Sequence, residues 1–83
     1  MILAYSYAGA QNFIGCVTDE NGRPMEFVTV SLRSLPDSAI VTGCITDENG
    51  QFCIEKMGRG SFIQTSFIGY RTQNIPVSDF ATP

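Results

Sequence analysis

Eighty-three residues suffice for one domain, and a chain this short buries only roughly 60% of the surface its unfolded form exposes, so a small core must hold it. The composition, 43% hydrophobic and 16% charged, is that of an ordinary globular domain, with no apolar stretch long enough to cross a bilayer as a helix. The net charge is −3 and the cations Arg23, Arg33, Lys56, Arg59 and Arg71 are scattered, which excludes the basic stripe that a nucleic-acid backbone requires. Histidine is absent, which removes the commonest general base and zinc ligand and any Ser/His or Cys/His pair. Cys16, Cys44 and Cys53 are too few for a disulfide scaffold and lack Cys-x-x-Cys spacing.

The chain opens on Ile2-Leu3-Ala4-Tyr5-Ser6-Tyr7 and then Ala8-Gly9-Ala10, a small-x-small pattern like a signal-peptidase site before Gln11. The basic region and most of the apolar run of an export signal are missing. Residues 1–12 therefore read as the tail of a truncated signal, with a mature start near Gln11 outside the cytoplasm, or as a plain N-terminal strand. Residues 13–83 form the domain proper.

Beyond the leader, no window shows helical recurrence, whereas period-two runs rich in Val, Ile, Phe and Thr recur between turn residues. Strands are expected near Phe13–Thr18, Glu26–Arg33, Ile40–Thr46, Phe52–Lys56, Ser61–Ile68 and Arg71–Val77, a spacing that indicates an all-β sandwich or barrel. Alternation assigns Phe13, Val17, Val28, Val30, Leu32, Ile45, Phe52, Ile54, Ile63, Phe67, Ile75 and Val77 to its interior.

One stretch returns almost unchanged: Gly15-Cys16-Val17-Thr18-Asp19-Glu20-Asn21-Gly22 and Gly43-Cys44-Ile45-Thr46-Asp47-Glu48-Asn49-Gly50 differ only at Val/Ile. A single echo is two similar corners rather than a repeat protein. Each Asp-x-Asn-Gly can turn with the Asp side chain capping the backbone and the Gly at positive φ, so Asp19, Gly22, Asp47 and Gly50 read as structural turn residues, as does Gly69 at a strand break. If the second corner closes a hairpin with Thr46 opposite Gln51, Ile45 faces Phe52 inside, and Cys44 and Cys53 become a hydrogen-bonded cross-strand pair outside, near enough to allow a disulfide by distance.

Through these corners the sequence resembles the carboxypeptidase regulatory-like domain family. The shared order is Gly15, Val17, Asp19, Gly22 and Pro24; then Gly43, Ile45, Asp47, Gly50 and Phe52; then Ser66-Phe67-Ile68-Gly69-Tyr70, over a span from Phe13 to about Val77. The resemblance implies a transthyretin/prealbumin-like antiparallel β-sandwich, here stopping before the alternating strand that usually completes it. It also implies two settings. One is an N-terminal extension of TonB-dependent outer-membrane transporters, an accessory domain in the periplasm or outer membrane of a Gram-negative bacterium that contacts its parent transporter and other cell-envelope proteins. The Ser-Phe-Ile-Gly-Tyr version behind an export signal is more like this one. The other is a carbohydrate- or protein-binding module of a secreted hydrolase such as a carboxypeptidase.

No enzyme is expected. Asp19, Glu20, Asp47 and Glu48 sit at turn tips, where solvent provides no cleft. No metal or other cofactor is expected either, because Asp-x-Asn-Gly overlaps the start of calcium loops but lacks the further bidentate carboxylate. Gly58-Arg59-Gly60 reads as an inter-strand loop without function. Tyr70 should bury its ring and place its hydroxyl on a backbone acceptor. Finally, Ser78-Asp79-Phe80-Ala81-Thr82-Pro83 is too turn-like to supply a strand, so one sheet should expose an edge. The uncharged leader is the best donor to it, within its own molecule or to a neighbouring copy as a homo-oligomer, and the neighbour is the expectation.

Overall fold

Period-two alternation becomes seven short strands and one 3-10 turn in a computed structural model that describes residues 1–58 and 60–80. In chain order these are β1 (Ile2–Ala8), β2 (Asn12–Thr18), β3 (Thr29–Arg33), β4 (Ile40–Ile45), β5 (Gln51–Glu55), β6 (Phe62–Ser66) and β7 (Gln73–Pro76), with the turn at Val77–Asp79. They form two antiparallel sheets, β1-β2-β5 and β4-β3-β6-β7. This is the all-β sandwich expected, without any α-helix among the described residues.

Alternation explains the core directly. In β5, Phe52 and Ile54 point inward while Gln51, Cys53 and Glu55 face solvent, and β6 alternates the same way around Ile63 and Thr65. Val30 and Leu32 on the central strand β3 are wholly buried, as are Val28 and Ile63; each such side chain contributes roughly 2 kcal/mol by leaving water. Phe67, Ile75 and Val77 pack against this cluster only partly buried. After the 3-10 turn Phe80 folds back under the sandwich, 5.2 Å edge-on to Phe13. Phe80 and Met25 are core members that alternation did not identify.

The chain crosses between the sheets at residues 19–28 and again at 46–50, and both crossings meet at Thr46. Its buried hydroxyl accepts the Val28 N–H at 2.9 Å and donates to the Met25 carbonyl at 2.6 Å. Its own N–H donates to the Val28 carbonyl, and its carbonyl accepts the Phe27 N–H. These four bonds hold a tight turn at residues 25–28, with Phe27 at φ 66°. The turn is why β3 begins at Thr29 and not at Glu26.

The same crossing removes the expected hairpin. β4 pairs with β3 and β5 with β2, so the second corner carries the chain from one sheet to the other. Ile45 is 61% exposed and does not face Phe52. Cys44 and Cys53 are therefore not ladder partners, and both are free thiols. Cys44 packs half-buried against the core, while Cys53 is exposed on the outer face of β5.

The leader is also placed differently. Ile2–Ala8 pairs antiparallel with β2 of its own chain, from Ile2 opposite Thr18 to Ala8 opposite Phe13, with a register shift between Leu3 and Tyr5. A short loop over residues 9–11, closed by the Gly9 N–H on the Asn12 carbonyl at 2.8 Å, brings the strand home at little entropic cost.

The two most buried threonines differ in one respect. Thr46 satisfies its hydroxyl twice, while the Thr65 hydroxyl, 1% exposed, has no hydrogen-bond partner among the described residues. Thr46→Val strands a buried donor and acceptor and should cost about 1–3 kcal/mol, whereas Thr65→Val removes an unsatisfied group and should be neutral or stabilising by up to about 1 kcal/mol. Urea midpoints at unchanged m-value check this; shifts of equal sign and size would contradict it.

Candidate functional site

Strand direction gathers the motifs at one end of the sandwich. Thr29 opposes both Ile45 and Ser66, and Cys16 opposes Gln51, so the exits of β2, β4 and β6 lie together. This loop end holds both Asp-x-Asn-Gly corners, the 25–28 turn and the Phe67–Tyr70 turn.

The two corners share one geometry because they share one sequence. In each, the Asp Oδ1 accepts two backbone N–H groups: Asn21 and Arg23 at 2.9 and 3.0 Å on Asp19, Asn49 and Gln51 at the same distances on Asp47. Gly22 and Gly50 close the turns at φ 82° and 72°. The Arg23 N–H above all, with the Asn21 N–H and the nearby cationic groups adding to it, holds the Asp19 carboxyl below its ordinary range against the opposing effect of desolvation, which ranks second to the Arg23 bond. Oxygens used this way cap the backbone. Among the described residues no three His, Cys, Asp or Glu side chains are arranged to hold a metal.

The glycines differ in surroundings. At Gly22 an added Cβ would meet open space, while at Gly50 it would run into the Val17 carbonyl and crowd the Met25 backbone nitrogen and the Pro24 Cβ. Gly50 presses against β2, where its own carbonyl accepts the Val17 N–H at 2.8 Å, and so ties the second corner to the first. Gly69, at φ 85°, closes the Phe67–Tyr70 turn, where the Tyr70 N–H donates to the Phe67 carbonyl at 3.1 Å.

The thiols of Cys16 and Cys44 are restrained, while Cys53 is exposed. Cys16 donates its thiol to the Asn49 carbonyl at 3.4 Å, and burial, followed by the Asp47 charge, pushes its pKa up. Burial also raises Cys44, with the Cys53 N–H opposing and the Cys53 thiol adding to the rise. Thiols raised this way are poor nucleophiles at neutral pH. Tyr70 does not bury its ring; it is exposed and tilts against Phe67 at 6.1 Å between centroids. A cavity of about 660 Å³ at the opposite end is lined by Ser34, Ala39, Ile40, Val41, Met57 and Gly58, none of them titratable among the described residues. In Gly58-Arg59-Gly60, Arg59 lies outside the described residues, as do residues 81–83 of the C-terminal segment.

Sequence reasoning missed Thr46 and Phe27. A lone threonine at a strand end carries no signal of a double hydrogen bond. An aromatic at positive φ, which costs on the order of 1 kcal/mol, was read as the second residue of a strand. Pro24 ahead of the segment was the one available sign of a turn. Because Gly50 needs both its φ and its missing side chain, Gly50→Ala should destabilise by more than about 3 kcal/mol, against about 1–2 kcal/mol for Gly22→Ala. Thermal melts of the two variants check this, and equal losses would contradict it.

Known proteins bear on this geometry in two ways. The crystal structure of native alpha-2-macroglobulin from Escherichia coli, spanning domains NIE-MG1, superposes with a TM-score of 0.78 at 16% identity over 88% of this chain and 35% of that one. The chain thus spans about a third of that structure, and at this identity the likeness concerns the fold alone. No curated protein matches the sequence. The sequence profile of the CarboxypepD_reg-like domain, a regulatory, non-catalytic type of module, matches residues 13–81, a span that covers both corners and the Phe67–Tyr70 turn and leaves out β1. The chain belongs to the CarboxypepD_reg-like domain family.

Proposed function

We propose that the chain is a non-catalytic accessory domain of an exported outer-membrane nutrient transporter of the TonB-dependent type, lying in the periplasm or outer membrane and acting through protein contacts. One observation carries the contact role. At the loop end Asp19 and Asp47 are committed to the fold as backbone caps and Cys16 as a buried thiol donor, while large apolar side chains stand in solvent. Such a surface suits recognition and not bond making. The transporter setting is supported by Ser66-Phe67-Ile68-Gly69-Tyr70. Its partners are then the remainder of the parent and other envelope proteins, and the sheet edges offer a route to a homo-oligomer.

Fractionation of cells expressing the parent, together with deletion of residues 13–81 from it, tests the reading. The parent should enter the outer-membrane fraction as a heat-modifiable barrel, and the deletion should impair nutrient uptake while leaving barrel insertion intact. A parent recovered as a soluble secreted hydrolase would overturn the transporter setting in favour of a module that binds carbohydrate or protein for that enzyme.

A further inference from the structure

Three large apolar side chains at the loop end are unused by the core: Phe27, Ile45 and Ile68, exposed at 66%, 61% and 90%. Phe27 and Ile68 belong to two turns and Ile45 ends β4, and the registers bring these three segments to one end. The Phe27 N–H donates to the Thr46 carbonyl, next to Ile45, and Ile68 follows Ser66, which lies opposite Thr29 as Ile45 does. The fold holds each outward. Phe27 is fixed at positive φ by the Thr46 network, and Ile68 sits at the tip of the turn that Gly69 closes. Apolar groups fixed in solvent by satisfied backbone bonds cannot collapse onto the core, so a segment from outside this domain has to cover them.

The charge around them indicates what that molecule is. Five of the eight acidic residues, Asp19, Glu20, Glu26, Asp47 and Glu48, belong to this end, against Arg23 and Arg71 of the five basic ones. Glu20 also meets the amino terminus at 4.0 Å. The excess of carboxylates repels anionic lipid headgroups and attracts lysine and arginine. We propose that the loop end is a docking surface for a cationic amphipathic protein segment, which covers Phe27, Ile45 and Ile68 with its apolar side chains and meets the surrounding carboxylates with its basic ones. This goes beyond the accessory-domain reading by naming the surface and the partner's chemistry. It rests on the protein-contact part of that reading and not on the transporter parent.

The test uses residues 1–83, isotope-labelled, with a synthetic leucine–lysine amphipathic peptide as the probe. Saturable shifts confined to the 27, 45 and 68 turns are expected. The double variant F27G/I68S should weaken binding at least about tenfold with unchanged circular dichroism, because glycine accepts the φ at position 27 and both side chains are exposed. Glu48→Gln should flatten the salt dependence of binding. A leucine–glutamate peptide that binds equally well, shifts centred on the Ile40 edge, unaltered affinity in F27G/I68S, or preferential binding to anionic phosphatidylglycerol vesicles would each overturn the proposal. In the parent, uptake lost on deleting residues 13–81 but normal with F27G/I68S would overturn this surface while leaving the accessory-domain reading standing.

Discussion

Everything in this sandwich depends on how the chain changes sheets, and both changes at the loop end are held by Thr46. A strand crossing from one layer to the other leaves backbone groups that neither sheet can pair, and buried groups without partners cost more than a typical bond contributes. Thr46 answers for four of them at once, two through its hydroxyl and two through its own backbone. Gly50 and Met25 then clasp the Val17 backbone from either side, the Gly50 carbonyl accepting the Val17 N–H and the Met25 N–H donating to the Val17 carbonyl. The end of β2, the start of β3, the end of β4 and the start of β5 are thus joined in one network. In a core this small, such polar joints decide where each strand starts as much as apolar burial does.

The corners themselves were legible because their determinants are local. An Asp that caps the residues two and four ahead and a Gly that takes positive φ are written within five consecutive residues, and the two copies fold alike. What precedes the corners was not legible. Val17 and Ile45 occupy equivalent places in the echoed sequence, yet Val17 is 1% exposed and Ile45 61%. The difference lies in the partners: β2 is the middle strand of its sheet and β4 an outer strand of the other. Sequence alternation reports that a strand has two faces, and only topology says which one meets the core. The assumed Cys44–Cys53 ladder failed for the same reason, since a corner reads identically whether it closes a hairpin or crosses between layers.

The surface proposed for docking follows from the same joint. By fixing the 25–28 turn, Thr46 sets Phe27 outward beside Ile45, and the crossing it anchors places both acidic corners around them. Among the chemical groups that invited attention in the sequence, Asp19, Asp47 and Cys16 prove to be structural when their hydrogen bonds are followed. The residues left over for contact with another molecule are apolar ones that sequence alternation had counted as packing or had not singled out. A module of this kind keeps its reactive groups occupied and presents shape, charge and apolar area.

Native-state hydrogen exchange tests the central role of the Thr46 joint most directly, because it reads single amides against global unfolding. The amides of Val17, Val28 and Thr46, each a donor in the network, should exchange only by global unfolding, together with Ile54 and Ile63 of the core strands. If those three instead exchange as fast as the turn-tip amides of Glu20 and Glu48 while Ile54 and Ile63 remain protected, the joint is peripheral and the sheets are held by apolar packing alone.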